Sequence, residues 1–517
     1  MRLRALARLT DYEGRAGHAL RGIVRNQPAW RTDPAAFVDA SKIIFPKAEA
    51  DASGALAVTL PEGRWTVLRV GSVASLIRNH PAADDATGWE CDKLSAAGAD
   101  AHWDGFLEPL VKKGGALENG RLKGLLLDSW ECEAQSWTEG LDAAFRAARG
   151  YPLDTWYPAL AGYVVGSRAQ TEKFLLDWRR LLSDRVRDEF FGRIAERAHA
   201  HGIRLSIETA GGDVYPGDLM DYWRMADVPM CEFWYPRTGY FVGSLEYKPV
   251  RPCVSAAHVY GKPGVAAESL TETTDRSAET PADWIPVLNA YLARGVTRIV
   301  FNGFTHNLKD ARTGHDGIDF EAHPEWWPPL TAYLARCRYA LELGTSERDV
   351  LLYLGDDLDH KPPQNLPFPD GYDYDYVNAD ALRSRLTERD GVWRSPDGTT
   401  WRLLVNRDTP KEKIAAELAK RKIAPDLLFA RKSGDDKLLW IHRKLAKCDI
   451  YFVCADYGRP LAGDVSVRVT GAKAFVADPM TGETKPLAFE RTAEGRTSFR
   501  LDLPAGAARF IIVCTEG

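Results

Sequence analysis

Glu131 closes the run Leu122-Lys-Gly-Leu-Leu-Leu-Asp128-Ser-Trp130-Glu131, and Glu268 closes Val265-Ala-Ala-Glu268, so each carboxylate stands where a short apolar segment meets polar sequence. The pattern recurs at Glu208 after Ile203-Arg-Leu-Ser-Ile207, at Glu232 after Pro229-Met-Cys231, and at Asn302 and His306 after Arg298-Ile-Val-Phe301. Groups of these types move protons, bind hard cations or grip hydroxyls. Glycoside hydrolysis needs one acid to protonate the leaving oxygen and one carboxylate to attack or to activate water, and Glu131 and Glu268 are the candidate pair. Asp128, Glu131 and Glu133 crowd one segment, where repulsion raises the pKa of the least solvated member, as a general acid requires. A single Glu after a strand is more often a cap or a solvated loop residue; recurrence at successive strand ends is what points to a site. Glu232, between Cys231 and Phe233-Trp234, is either part of that site or the partner of a buried Arg such as Arg237. Glu208, followed by Thr-Ala-Gly-Gly212, ranks below the other three. His258 and His306 have no partner at zinc spacing. An Asp- and Glu-rich, His-poor set is instead the ligand chemistry of calcium or magnesium, and calcium also suits a sugar with vicinal hydroxyls.

Distant strand ends converge in a parallel barrel, where C-terminal strand ends share one mouth. From Gly120 onward, strand-like runs alternate with helical ones, the order that builds a parallel sheet. The clearest helix is expected over Thr171–His201, with Phe174, Leu175, Trp178, Leu182, Val186, Phe190, Ile194 and Ala198 as its apolar stripe and Gly202 as its stop. The fold class expected is α/β: a (β/α)8-type barrel carrying an inserted β-module, a small flavodoxin-like α/β unit and a C-terminal β-rich domain. The boundaries expected are 1–115 for the β-module, with a hairpin of Ala55–Leu60 and Arg64–Val70, then 116–345 for the barrel strands, 346–445 for the small α/β unit and 446–517 for a sandwich-like end.

With 517 residues the chain exceeds one ordinary core, and its net charge of −5 without any Lys/Arg block gives no footprint for nucleic acid or an anionic membrane. No apolar run reaches membrane-spanning length. Arg4, Arg8, Asp11 and Glu13 interrupt the first residues, so export is unsupported by this N-terminus. The eight cysteines show no CxxC pair and read mostly as buried thiols. There is no Walker loop, G-x-G-x-x-G, H-E-x-x-H or G-x-S-x-G motif.

The segments Leu60-Pro-Glu-Gly-Arg-Trp-Thr-Val-Leu-Arg-Val-Gly71, Gly88-Trp-Glu-Cys-Asp-Lys93, Asp128-Ser-Trp-Glu131, Gln135-Ser-Trp-Thr138, Cys231-Glu-Phe-Trp234, Ser255-Ala-Ala-His-Val-Tyr-Gly261, Ala267-Glu-Ser-Leu-Thr271 and Asp449-Ile-Tyr-Phe-Val453, in this order, resemble glycoside hydrolase family 106, the α-L-rhamnosidases. The resemblance implies a calcium-assisted inverting mechanism on an α-L-rhamnosidic or similar deoxysugar linkage of a plant or microbial polysaccharide. It sets Glu131 as acid, and Glu232 and Glu268 as the glutamates that serve as base or hold calcium. Asp128, Trp130, Trp137, Glu208, Trp234, His258, Asn302 and His306 would bind an oligosaccharide or glycoside, with Trp130, Trp137 and Trp234 as stacking walls. Members of this family are often periplasmic or secreted. Against the family pattern, the Glu131 strand counts as about the fourth of the barrel, so the barrel is expected to lack its N-terminal strands. That motivates a rival expectation, a non-catalytic carbohydrate-binding protein or truncated pseudoenzyme. The oligomeric state is not encoded in any of these features.

Overall fold

The computed structural model describes residues 32–515 apart from 47–50, 56, 80–81, 83, 129–134, 209–216, 236–248, 273–278, 303–317, 319–322, 357–365, 431–436 and 456–459. Its organising element is a curled parallel sheet of five strands in sequential order: β1 (Gly124–Leu127), β2 (Arg204–Glu208), β3 (Val228–Trp234), β4 (Ala266–Thr271) and β5 (Arg298–Phe301). Helices occupy the crossovers, as parallel pairing requires. The first crossover contains the expected long helix, running as Arg168–Arg185, a wider turn over Val186–Gly192, and Arg193–Ala200. All eight residues of its predicted stripe are buried. Gly202, at φ +69°, takes the left-handed conformation that ends it.

The strands follow their burial. In β3 every residue but the last is buried, whereas β1 and β5, at the two ends of the sheet, hold only exposed and half-buried residues. Leu126 and Val300 are 43% and 41% exposed.

A second parallel sheet of three strands, Leu403–Asn406, Val350–Tyr353 and Tyr374–Val377 in that spatial order, packs on the first through the helix Val250–Val259. Every residue of this helix except Arg251 is buried, because it is covered on both sides. The two sheets share one hydrophobic core. The apolar run Trp401–Val405 divides at Arg402: Thr400–Trp401 joins a small antiparallel sheet with Thr387–Arg389 and Val392–Arg394, and Leu403–Asn406 joins the parallel one.

The C-terminal β-rich part is two antiparallel sheets of four and six strands around their own core. It begins earlier than the expected residue 446. Leu427–Phe429 and Leu438–Lys444 belong to it, the latter paired along its length with Cys448–Ala455. Cys448 and Cys514, opposite each other on neighbouring strands, form a disulfide. This corrects the reading of the cysteines for that pair: cross-strand register joined residues that sequence spacing kept 66 apart. Cys231, Cys253, Cys337 and Cys454 are buried thiols.

The expected hairpin of Ala55–Leu60 and Arg64–Val70 is not formed among the described residues. Their described residues join no strand ladder, and Val67 is 79% exposed. A lone two-stranded ribbon buries too little to hold its ladder without a third strand or a helix against it.

Candidate active site

Strand alternation sets the site. Asp128, Glu208, Glu232 and Glu268 share even parity with Leu126, Ser206, Met230 and Ala266, and so face one side of their strands. Ile207, Cys231, Phe233 and Ala267 face the other side, into the core shared with the helices. Val228, Met230 and Ala266 form a separate small cluster on the carboxylate side.

Register then brings the acids together. Leu127 pairs with Ile207, so Asp128 emerges beside Glu208, and Glu232 pairs directly with Glu268. Asp128, Glu208 and Glu268 each bring an oxygen within 4.8 Å of the other two. Oxygens on opposite sides of a calcium ion, each bound at 2.3–2.6 Å, stand about 5 Å apart. The trio therefore fits a hard cation by donor type and by spacing. Glu232, expected among the metal ligands with Glu268, is not part of this trio.

The electrostatics follow from four neighbouring carboxylates, of which Glu208 and Glu232 are buried, Glu268 is half-buried and Asp128 is exposed. Glu208 is fully buried and sits well above the usual carboxylate range, first through burial, then through Glu268, Asp128 and Glu232. Glu268 is pushed up to about 7, by burial first and then by Glu232; the Thr271 hydroxyl and the Asn302 amide pull the other way. Glu268 is only half-buried, so water can reach it.

Glu268 Oε1 accepts from Thr271 Oγ1 at 2.6 Å and from Asn302 Nδ2 at 2.5 Å. Thr271 is a residue the sequence reading missed. Regular alternation would turn it away from Glu268. Opposite Phe233 and Trp234 the register slips, and Leu270 adopts φ +61°, a left-handed conformation costing a non-glycine residue roughly 1–2 kcal/mol. The bulge returns Thr271 to the carboxylate side. A Thr three residues after a strand-end Glu is its only sequence signal.

Trp234 donates its indole N–H to Glu232 Oε1, so its ring is fixed by that glutamate. Trp137 is exposed, on a loop stapled by Gln135 Nε2 to the Cys91 carbonyl at 2.8 Å and by Thr138 Oγ1 to Asp92 at 2.6 Å. Asn302 continues β5, with its backbone N–H on the Ser269 carbonyl at 3.0 Å. Glu131, Trp130 and His306 lie outside the described residues.

His258 is not brought to this group. It sits near the end of the helix that returns from the β3 mouth, and its Nδ1 lies 3.0 Å from Asp375 of the small sheet. A helix antiparallel to its strand carries its last residues to the opposite end of the sheet, so the expectation that His258 binds substrate is corrected on topology.

A parallel sheet presenting acids at its C-terminal strand ends is the architecture of a barrel-type hydrolase. The chain belongs to glycoside hydrolase family 106, described as alpha-L-rhamnosidase, whose model matches residues 1–412 and 406–491. A rhamnosidase from Novosphingobium sp. PP1Y superposes with a TM-score of 0.74 at 24% identity, over 85% of this chain and 49% of that one. A Formosa agariphila protein named "Putative beta-glucuronidase" is 29% identical over 566 aligned positions, 96% of this chain and 47% of its own length. The chain thus spans about half the length of both. Among the described residues no helix is long and apolar enough to cross a membrane.

Proposed function

We propose that this chain is the acid-bearing part of a glycoside hydrolase that cleaves α-L-rhamnosidic or similar deoxysugar linkages by inversion, with β1–β5 as staves of a (β/α)8-type barrel. The observation that carries the reading is the convergence of Asp128, Glu208, Glu232 and Glu268 on one side of the sheet, in a chain of this family. Glu131 donates a proton to the leaving oxygen. Glu268 takes the proton of the attacking water: it is half-buried and within reach of solvent. Asp128 and Glu208 would hold a calcium ion beside it. When bound, calcium would offset their repulsion and grip vicinal sugar hydroxyls. Glu232, tied to Trp234, stands beside Glu268 on the neighbouring strand and would shape the sugar pocket.

The Formosa relative's name suggests a uronic acid substrate. The family this chain belongs to is described as alpha-L-rhamnosidase, so a neutral deoxysugar is the substrate proposed here. The test is hydrolysis of 4-nitrophenyl α-L-rhamnoside against 4-nitrophenyl β-D-glucuronide, with product anomers followed by proton NMR. Rhamnoside turnover with an inverted first product supports the reading. Exclusive glucuronide turnover, or a retained anomer, would remove it. Glu131→Gln is expected to lower turnover of a natural rhamnoside by about 10²–10⁴-fold and to spare the 4-nitrophenyl substrate, whose leaving group needs little protonation. Glu268→Gln should lose both activities. Binding of rhamnosides with no hydrolysis under added calcium would favour a carbohydrate-binding role instead.

A further inference from the structure

We infer that Thr271 and Asn302 are positioning residues for Glu268, fixing its Oε1 so that its other oxygen is the one turned to the attacking water. The inference rests on the reading of Glu268 as the base. Two donors from two different segments converge on one oxygen, Thr271 Oγ1 at 2.6 Å from the end of β4 and Asn302 Nδ2 at 2.5 Å from the end of β5. The last torsion of a glutamate is broad and roughly two-fold, so an untethered carboxylate swings. Clamping one oxygen from two directions selects one plane and one exposed oxygen.

The fold is deformed to achieve this. Thr271 is buried, and it reaches the carboxylate side only through the register slip beside Trp234 and the left-handed Leu270. Were alternation unbroken, Thr271 would turn with Ala267 and Ser269 to the opposite side, and Glu268 would keep Asn302 alone. Strained backbone beside a site is a recurrent means of pre-organising it. Thr271 has a single hydroxyl proton, and Glu268 receives it, so this side chain is a holder of the base and not a donor to the sugar.

The experiment compares Thr271→Val, Thr271→Ser and Asn302→Leu with Glu268→Gln in the whole chain, on 4-nitrophenyl α-L-rhamnoside. Thr271→Val and Asn302→Leu are expected to lower kcat about 10- to 100-fold, the usual loss when a supporting hydrogen bond to a site ligand goes, with KM nearly unchanged. Thr271→Ser, which keeps the hydroxyl, is expected to restore the rate. In the Glu268→Gln background, adding Thr271→Val should change the residual rate by less than about two-fold, since residues acting through one group are not additive. A crystal structure of Thr271→Val should show the Glu268 carboxylate rotated. Wild-type kcat in Thr271→Val beside an inactive Glu268→Gln, or an unmoved carboxylate, overturns this inference alone. An active Glu268→Gln overturns the base assignment and this inference together.

Discussion

Glu268 and Glu208 are carboxylates whose charged forms the fold disfavours, and this gives the site a pH signature. The pKa of Glu268 rises from 4.5 in an unstructured chain to about 7 here, and Glu208 moves in the same direction. Stability from such a group is complete below the unfolded value and is lost as pH rises through the folded one. In chelator, the melting temperature is therefore expected to fall between about pH 4.5 and 7.5. Asp218, raised to about 7 by burial and then by Asp221, adds to the same slope. Glu268→Gln should flatten part of the fall. Calcium at a hundred times its dissociation constant should restore about 2.7 kcal/mol at pH 7.5. A melting temperature indifferent to calcium at that pH would sink the proposed ion. The four carboxylates themselves were legible in the sequence as strand-end acids. Their ranking was not: Glu208, placed last, is the most deeply buried, and its burial depends on neighbours from other strands.

Among the elements, the antiparallel pair Leu438–Lys444 and Cys448–Ala455 shows how charge can be built into a sheet. His442 lies fully buried between Asp426, 2.7 Å from its Nδ1, and Asp449, 2.8 Å from its Nε2, and stacks on Tyr451. Burial opposes its charge, but the Asp426 and Asp449 carboxylates outweigh burial and lift its pKa to about 9. The stability this gives is present below pH 6.5 and lost as pH rises through 9. His442→Gln, which removes the cation between Asp426 and Asp449 and leaves Asp426 with Arg468, is expected to cost about 3–5 kcal/mol in denaturant titration and to remove the alkaline loss. A variant as stable as wild type at pH 7 would show that the trio is not held by charge. The nearby disulfide closes a long loop, so Cys448→Ser with Cys514→Ser should cost about 2–4 kcal/mol, read by the same titration. In this region the alternating strands were visible from sequence, while the bridge depended on which strands became neighbours.

At the scale of the molecule, the small parallel sheet and the five-stranded sheet are one packed body joined by the helix Val250–Val259. Ser255 Oγ accepts from the Tyr376 N–H at 2.9 Å, and Asp375 collects His258, Arg348 and the Trp401 indole. Trp401 is fully buried in the shared core. Trp401→Ala is expected to cost about 3–5 kcal/mol and to lower one calorimetric transition covering both sheets. Two separated transitions would show that the sheets melt independently. The alternation after Gly120 did not single out this helix; its two buried faces, and with them the place of His258, required the small sheet.

The sequence by itself determined what is local and periodic. The stripe from Phe174 to Ala198 names a helix face because its spacing matches the helical repeat, and apolar runs that stop at Asp128, Glu208, Glu232, Glu268 and Asn302 mark the strands, although β3 and β4 run on to Trp234 and Thr271. Tertiary structure decided what depends on register and on neighbours. The slip at Leu270 turned Thr271 onto Glu268, cross-strand pairing joined Cys448 to Cys514, and the return of a helix carried His258 away from the acids. The stretches 57–60 and 64–70, which join no sheet, mark the same division: alternation proposes a strand, but only a partner that buries its apolar side makes one.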